Sequence, residues 1–222
     1  MGERVSAADE PLTGLGEGAE FDRLLTRARG LAGRGRRVML GITGSPGAGK
    51  STLATLVVNA LEELAVLVPM DGFHLAQHQL EAQGLVSTKG AINTFDVSGF
   101  VHLLMRLRAV DEPVVYAPAF RRELEEPIAG AIAVSCAVPL VVVEGNYLLA
   151  TGGGWERVRS LLDEVWFLEP EEAVRMARLI ARHMRFGRDR GEAEERSTGS
   201  DQFNADLIAS TRQRADLIVT DY

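Results

Sequence analysis

The chain has 222 residues, of which 46% are apolar and 25% charged, and its formal net charge is −7. That length suits one domain with a sizeable core, and the composition is that of a globular rather than a disordered chain. The acidic balance argues against a protein that coats nucleic acid or an anionic membrane, and no run approaches the ~18 apolar residues of a membrane span.

Residues 1–17 are polar and read as a loose tail, and MGERVSAADEPLTG lacks the apolar centre of a signal peptide. Gly2 with Ser6 matches a myristoylation pattern only superficially, so a cytoplasmic location is expected. A helix over about 19–31 places Phe21, Leu24, Leu25 and Ala28 on one face. Val38–Thr43 reads as a buried strand, followed by a glycine-rich turn and a helix from Lys50 to Leu64. Leu64–Met70 is a second strand, ending at Asp71. Residues 72–137 are too long for a simple connection and read as a small substrate-binding elaboration of the same domain. They hold a helix over Val97–Leu107, a short strand over Val114–Ala117, and one or two peripheral strands over Ile128–Ala137, broken at Gly130. The single cysteine, Cys136, excludes an intrachain disulfide and is expected as a small buried apolar residue of a strand. Leu140–Val143 and Val165–Leu168 have the continuous apolar character of central parallel strands, with a helix over Trp155–Leu162 between them. An Arg-rich helix follows Pro170, the polar stretch Gly187–Gly199 interrupts the pattern, and a helix (Asp201–Arg214) and a strand (Leu217–Thr220) close the chain. Alternating strands and helices predict a three-layer α/β/α fold with a mostly parallel central sheet. The expected organisation is one domain over 18–222, with a helical lid at about 175–199.

The strongest motif is Gly44-Ser45-Pro46-Gly47-Ala48-Gly49-Lys50-Ser51, followed by Thr52, a Walker A phosphate-binding loop between a strand and a helix. Its glycines let backbone N–H groups turn inward around an anion, and the helix N-terminus adds more donors. Lys50 suits the β- and γ-phosphates of a nucleotide, and Ser51 suits Mg²⁺. Neither lysine supplies an Asn-Lys-x-Asp guanine-reading loop, since Lys89 lies in Thr88-Lys89-Gly90-Ala91.

A small-molecule kinase needs further groups, and candidates are present. Asp71 and Glu144 each end a strand on the side where parallel sheets bind ligands. Either acid suits a base or an Mg²⁺-organising role, against a turn cap for Asp71 and a structural ion pair for Glu144. His74 either touches the acceptor or caps the local helix, and no zinc motif accompanies it. Lys89, one of only two lysines among 24 basic residues, suits an anionic substrate or product, against a solvated loop position. Tyr116 and Phe120 either wall the acceptor pocket or pack in the core. Arg178 and Arg182 share a helix face ahead of a flexible basic tip, as a lid over a transferring phosphoryl group would, or form a solvated face paired with Glu171 and Glu172.

Together the stretches GITGSPGAGKST, MDGFHL, TKGAINTFD, VYAPAFRRELEEPIAGAI, LVVVEGNYLL, RLIARHMRFG and GSDQFNADLIASTRQRADLIV resemble the uridine kinase, phosphoribulokinase and bacterial pantothenate kinase superfamily. The resemblance is nearest to its nucleoside/nucleotide kinase-like, or fructokinase-like, branch. It implies phosphotransfer from ATP, with Mg²⁺, to a hydroxyl of a sugar, nucleoside or pantothenate-like molecule. It implies that Asp71 is the base, that Lys50 and Ser51 carry the Walker A roles, that Glu144 is the later strand-end acid, and that Arg178 and Arg182 are lid arginines. Three departures fall in the acceptor region: Thr88 precedes Lys89 where an arginine is common, Ile92-Asn93 replaces Ala-Pro, and Arg121 replaces an Asp. The expected partner is a small-molecule hydroxyl substrate, not nucleic acid or membrane, with a homodimer left open. Two other readings remain: a P-loop ATPase or nucleotide-sensing switch without an acceptor, and a non-catalytic nucleotide-binding scaffold.

Overall fold

Apolar runs bounded by glycine and proline place five strands side by side in the computed structural model, which describes residues 18–220. The strands are β1 (Val38–Gly44), β2 (Ala65–Pro69), β5 (Leu140–Glu144), β6 (Glu164–Leu168) and β7 (Leu217–Val219), in the order β2-β5-β1-β6-β7. All four pairings are parallel, and the central β5, β1 and β6 are buried along their whole length. Burial on both faces explains why these segments lack polar alternation.

Alternate residues of the central strands face opposite layers. Val38, Leu40, Ile42, Leu140, Val142, Trp166 and Leu168 pack against α1 (Ala19–Ala32) and α2 (Lys50–Leu61). Met39, Val141, Val143, Val165 and Phe167 pack on the other side. There they meet α4 (Val97–Ala109), the Trp155–Leu162 segment and Ile208 of α7 (Ser200–Ala209). The three-layer α/β/α arrangement matches the expectation from sequence. The tail expected over 1–17 lies outside the described residues.

The segment between β2 and β5 contains a short helix α3 (Gln77–Ala82), α4, and an antiparallel hairpin of β3 (Val114–Arg121) and β4 (Glu126–Ser135). The hairpin forms its own two-stranded sheet, with a bulge between Ala117 and Ala119. β3 runs four residues beyond the expected Val114–Ala117, and β4 is one strand that starts two residues earlier than the expected Ile128–Ala137, because an antiparallel ladder with one open face accommodates exposed polar residues. Gly130 does not split β4, although its φ is +67°. Cys136 corrects an expectation: it is exposed, in the turn after β4, with its N–H donated to Pro113 O at 2.9 Å.

Two other local expectations change. Trp155–Leu162 is two 3-10 turns, Trp155–Arg157 and Arg159–Leu161, rather than one helix. The polar stretch after α5 (Glu172–Arg185) contains a further helix, α6 (Arg190–Thr198). Asp189 and Glu192 start α6 as a reciprocal capping box, which supplies order where no apolar face is available.

Candidate active site

The parallel strands bring their carboxyl ends to one edge, so four sequence-distant segments meet there. β1 leads into the phosphate-binding turn, β2 into Met70–Phe73, β5 into Glu144-Gly145, and β6 into α5. Register fixes the arrangement: Glu144 lies opposite Ile42 of β1 and Pro69 of β2.

The turn wraps tightly around its own backbone. Ala48 N donates to Ser45 O and Leu53 N to Gly49 O, both at 3.0 Å. Gly47 has φ +83°, and a Cβ there would lie 2.5 Å from Arg175 O, so glycine is required by both conformation and space. Lys50, only 7% exposed, donates to Ser45 O at 3.0 Å. Glu144 is equally buried and accepts a hydrogen bond from the Ser51 side chain. Burial lowers the Lys50 pKa and raises that of Glu144, while the opposite charge of each partner counters the shift.

Asp71 lies in a single 3-10 turn, with its side chain 34% exposed. Gly72 and Gly145 hold this turn in place by close approach, since a Cβ on either would collide with Pro118 of the hairpin or Met70. Asp71 O accepts from His74 N at 3.2 Å and from His74 Nδ1 at 2.8 Å. The His74 ring stacks on Phe95 and Phe120, at centroid distances of 4.1 and 4.8 Å. Lys89 Nζ lies 5.5 Å from the Phe120 centroid and donates to Glu125 O at 2.7 Å. Asp71, His74, Phe120 and Lys89 therefore form one continuous wall. Tyr116 does not join it: it is 60% exposed on the hairpin.

The wall is pinned from below. Tyr147 donates its hydroxyl to Gly90 O at 2.8 Å, and Trp155 its indole N–H to Ile92 O at 3.3 Å. The loop beyond Lys89 is thereby tied to the segment that follows Glu144.

On the opposite flank, Arg182 of α5 is half-buried within the field of Asp71, Glu144 and Asp201. Burial lowers its pKa, with Arg122 adding to the effect, yet a guanidinium keeps its charge. The side chain of Arg178, one turn earlier, makes no hydrogen bond or ion pair among the described residues. The arginine that grips the phosphate loop is Arg175, which the spacing argument missed. Buried to 4% exposure, it donates to Pro46 O at 3.0 Å and Gln202 Oε1 at 2.6 Å, and pairs with Glu172. A second missed residue is Arg122 in the hairpin turn, 3.8 Å from Asp71 Oδ2. Ser45, Arg175, Gln202 and Asp206 help line an adjoining cavity of about 210 Å³.

The candidate uridine kinase C227.14 of Schizosaccharomyces pombe is 30% identical over 90% of this chain and 90% of its own length. The chain belongs to the uridine kinase-like P-loop kinases. A candidate fructose transport system kinase from Silicibacter sp. is 36% identical, with a TM-score of 0.79 over 88% of this chain and 98% of that one. The ATP-dependent kinase-like protein notR′ of Aspergillus versicolor is 36% identical over 64% of this chain and 88% of its own. The model of the methylmalonyl-CoA mutase-associated GTPase MeaB matches residues 16–69. That local match spans α1 to β2, the part built around the phosphate loop. Among the described residues, no helix is long and apolar enough to cross a membrane.

Proposed function

We propose that this uridine kinase-like chain transfers the γ-phosphoryl group of ATP, with Mg²⁺, to a hydroxyl of a small metabolite such as a sugar, a nucleoside or a pantothenate-like alcohol. The observation that carries this reading is the convergence of Lys50, Ser51, Glu144, Asp71 and Arg182 on one strand-end edge.

A metal fits the donor set. Ser51 and Glu144 offer a hydroxyl and a carboxylate already in contact, with Asp71 nearby, and such oxygen-only donors suit a hard cation. Burial destabilises the Glu144 carboxylate, so a cation beside it relieves an unfavourable charge. When bound, Mg²⁺ neutralises charge on the phosphates.

The chain's own groups supply the rest. The N–H groups of the Gly44–Ser51 turn and the Lys50 ammonium hold the β- and γ-phosphates. Asp71 orients the acceptor hydroxyl and takes its proton. The acceptor oxygen forms a bond to the γ-phosphorus as the bond to the bridging oxygen breaks, and that electron pair leaves with ADP. Lys50 and Arg182 stabilise the charge on the transferring group. Helices α5 and α6 limit access of water, which would otherwise accept the phosphoryl group.

The test is a panel of alcohols with MgATP, read by ADP release and product mass. Asp71→Asn is expected to lower turnover by ~10²–10⁴-fold while nucleotide binding persists. Unchanged turnover in Asp71→Asn would remove Asp71 as the base, and ATP hydrolysis that no alcohol redirects would favour a plain ATPase.

A further inference from the structure

Two cations flank the aromatic wall, and neither belongs to the phosphate loop. Lys89 stands over Phe120 at one end, and Arg122 stands beside Asp71 at the other. Arg122 lies in the turn of the β3–β4 hairpin, with its side chain 43% exposed. Its guanidinium carbon Cζ lies over the Phe186 ring, 5.4 Å from the centroid. Its Nη2 approaches Asp71 Oδ2 to 3.8 Å, longer than a hydrogen bond. A cation–π contact over a ring holds a guanidinium in place without using its N–H groups, which remain available for a forked contact with a carboxylate or phosphate. Lys89, in contrast, is already held by the Glu125 carbonyl and carboxylate.

We propose that Arg122 binds an anionic group, carboxylate or phosphate, carried by the acceptor close to the hydroxyl that is phosphorylated. This deepens the kinase reading and rests on it. The 3.8 Å pair with Asp71 is the resting arrangement. An incoming anion takes over the guanidinium edge, which leaves Asp71 to face the hydroxyl. The aromatic wall of His74 and Phe120 covers the carbon skeleton beside these cations. A neutral nucleoside or sugar offers nothing to replace Asp71 on Arg122 and is a poorer acceptor.

The test uses protein loaded with Mg²⁺ and a non-hydrolysable ATP analogue, so that the phosphate loop is filled before any anion is added. Nitrogen-15 NMR of the arginine Nε–H groups is recorded, with Arg122 assigned by the signal lost in Arg122→Gln. Inorganic phosphate, malonate and, as the neutral control, glycerol are titrated separately. The Arg122 signal is expected to shift and saturate with phosphate, malonate or both, and to stay still with glycerol. The anion that saturates at lower concentration tells phosphate from carboxylate recognition. Calorimetry should show affinity for that anion about tenfold weaker in Arg122→Gln. With the analogue bound, an Arg122 signal that ignores both anions, or answers glycerol equally, overturns the proposal and leaves the kinase reading intact. Failure of the analogue to bind takes down the kinase reading, and this proposal with it.

Discussion

At the scale of single residues, the phosphate turn is constrained by more than nucleotide contact. Gly47 is pressed against the backbone of α5 at Arg175 and holds a left-handed conformation. Gly47→Ala is therefore expected to cost about 1–3 kcal/mol of stability and to weaken nucleotide binding, checked by chemical denaturation and by titration with a fluorescent ATP analogue. Legibility at this scale divides by mechanism. Lys50, Asp71 and Glu144 were readable because motif and strand-end position both follow from local sequence. Arg175 and Arg122 were not, because their roles depend on contacts with Pro46 and Asp71, which lie far away along the chain. Helical spacing singled out Arg178 and Arg182 as a pair, but spacing gives only a shared face and not which arginine reaches the site. Tyr116 and Phe120 looked equivalent in sequence, yet only Phe120 stacks on His74, and Tyr116 faces outward.

At the scale of elements, the joint between α5, α6 and α7 turns on His183. Its Nε2 lies 2.6 Å from Asp201 Oδ2, and Arg188 Nη1 donates to its Nδ1 at 3.0 Å. A guanidinium only donates, so Nδ1 accepts and the ring is neutral, with its proton on Nε2 toward Asp201. Burial lowers the His183 pKa, the nearby Arg182 and Arg188 act in the same direction, and Asp201 opposes them. The folded chain thus takes up this proton less readily than the unfolded chain does. Its contribution to stability is complete above the ordinary histidine value near 6.5 and is lost as the pH falls below it. Melting temperatures measured from pH 7.5 to 5 should fall more steeply for the wild type than for His183→Gln, and parallel curves would contradict this. The capping box of α6 and the 3-10 turns over 155–161 illustrate what periodicity misses: neither has a regular apolar face to announce it.

At the scale of the whole molecule, the net charge of −7 coexists with Lys50, Arg182 and Arg122 gathered near Asp71 and Glu144 at one sheet edge. Long-range charge repels a polyanion only weakly at physiological salt, because the Debye length is about 8 Å, so local placement of Lys50, Arg182 and Arg122 decides binding. Because these groups come from α2, α5 and the hairpin turn, a ligand that engages them ties the layers together. MgATP at ~100 times its dissociation constant should stabilise the fold by about 2.7 kcal/mol, read as a rise in melting temperature that Lys50→Ala largely removes. The α/β/α architecture was legible because fully buried parallel strands carry continuous apolar runs. The full extent of the hairpin was not, because its open face mixes exposed polar and apolar residues.

The separateness of the hairpin has an evolutionary consequence. β3 and β4 share no hydrogen-bonded ladder with the five-stranded sheet. Arg121, Arg122 and the turn to Glu125 can therefore be exchanged, lengthened or recharged without shifting the register that sets Glu144 opposite Ile42. On the proposed kinase function, selection on this scaffold can retune which metabolite is recognised while the strands that carry the phosphate loop stay fixed. Diversification of acceptors within such a lineage should concentrate its substitutions in the hairpin turn and leave the strand ends nearly invariant.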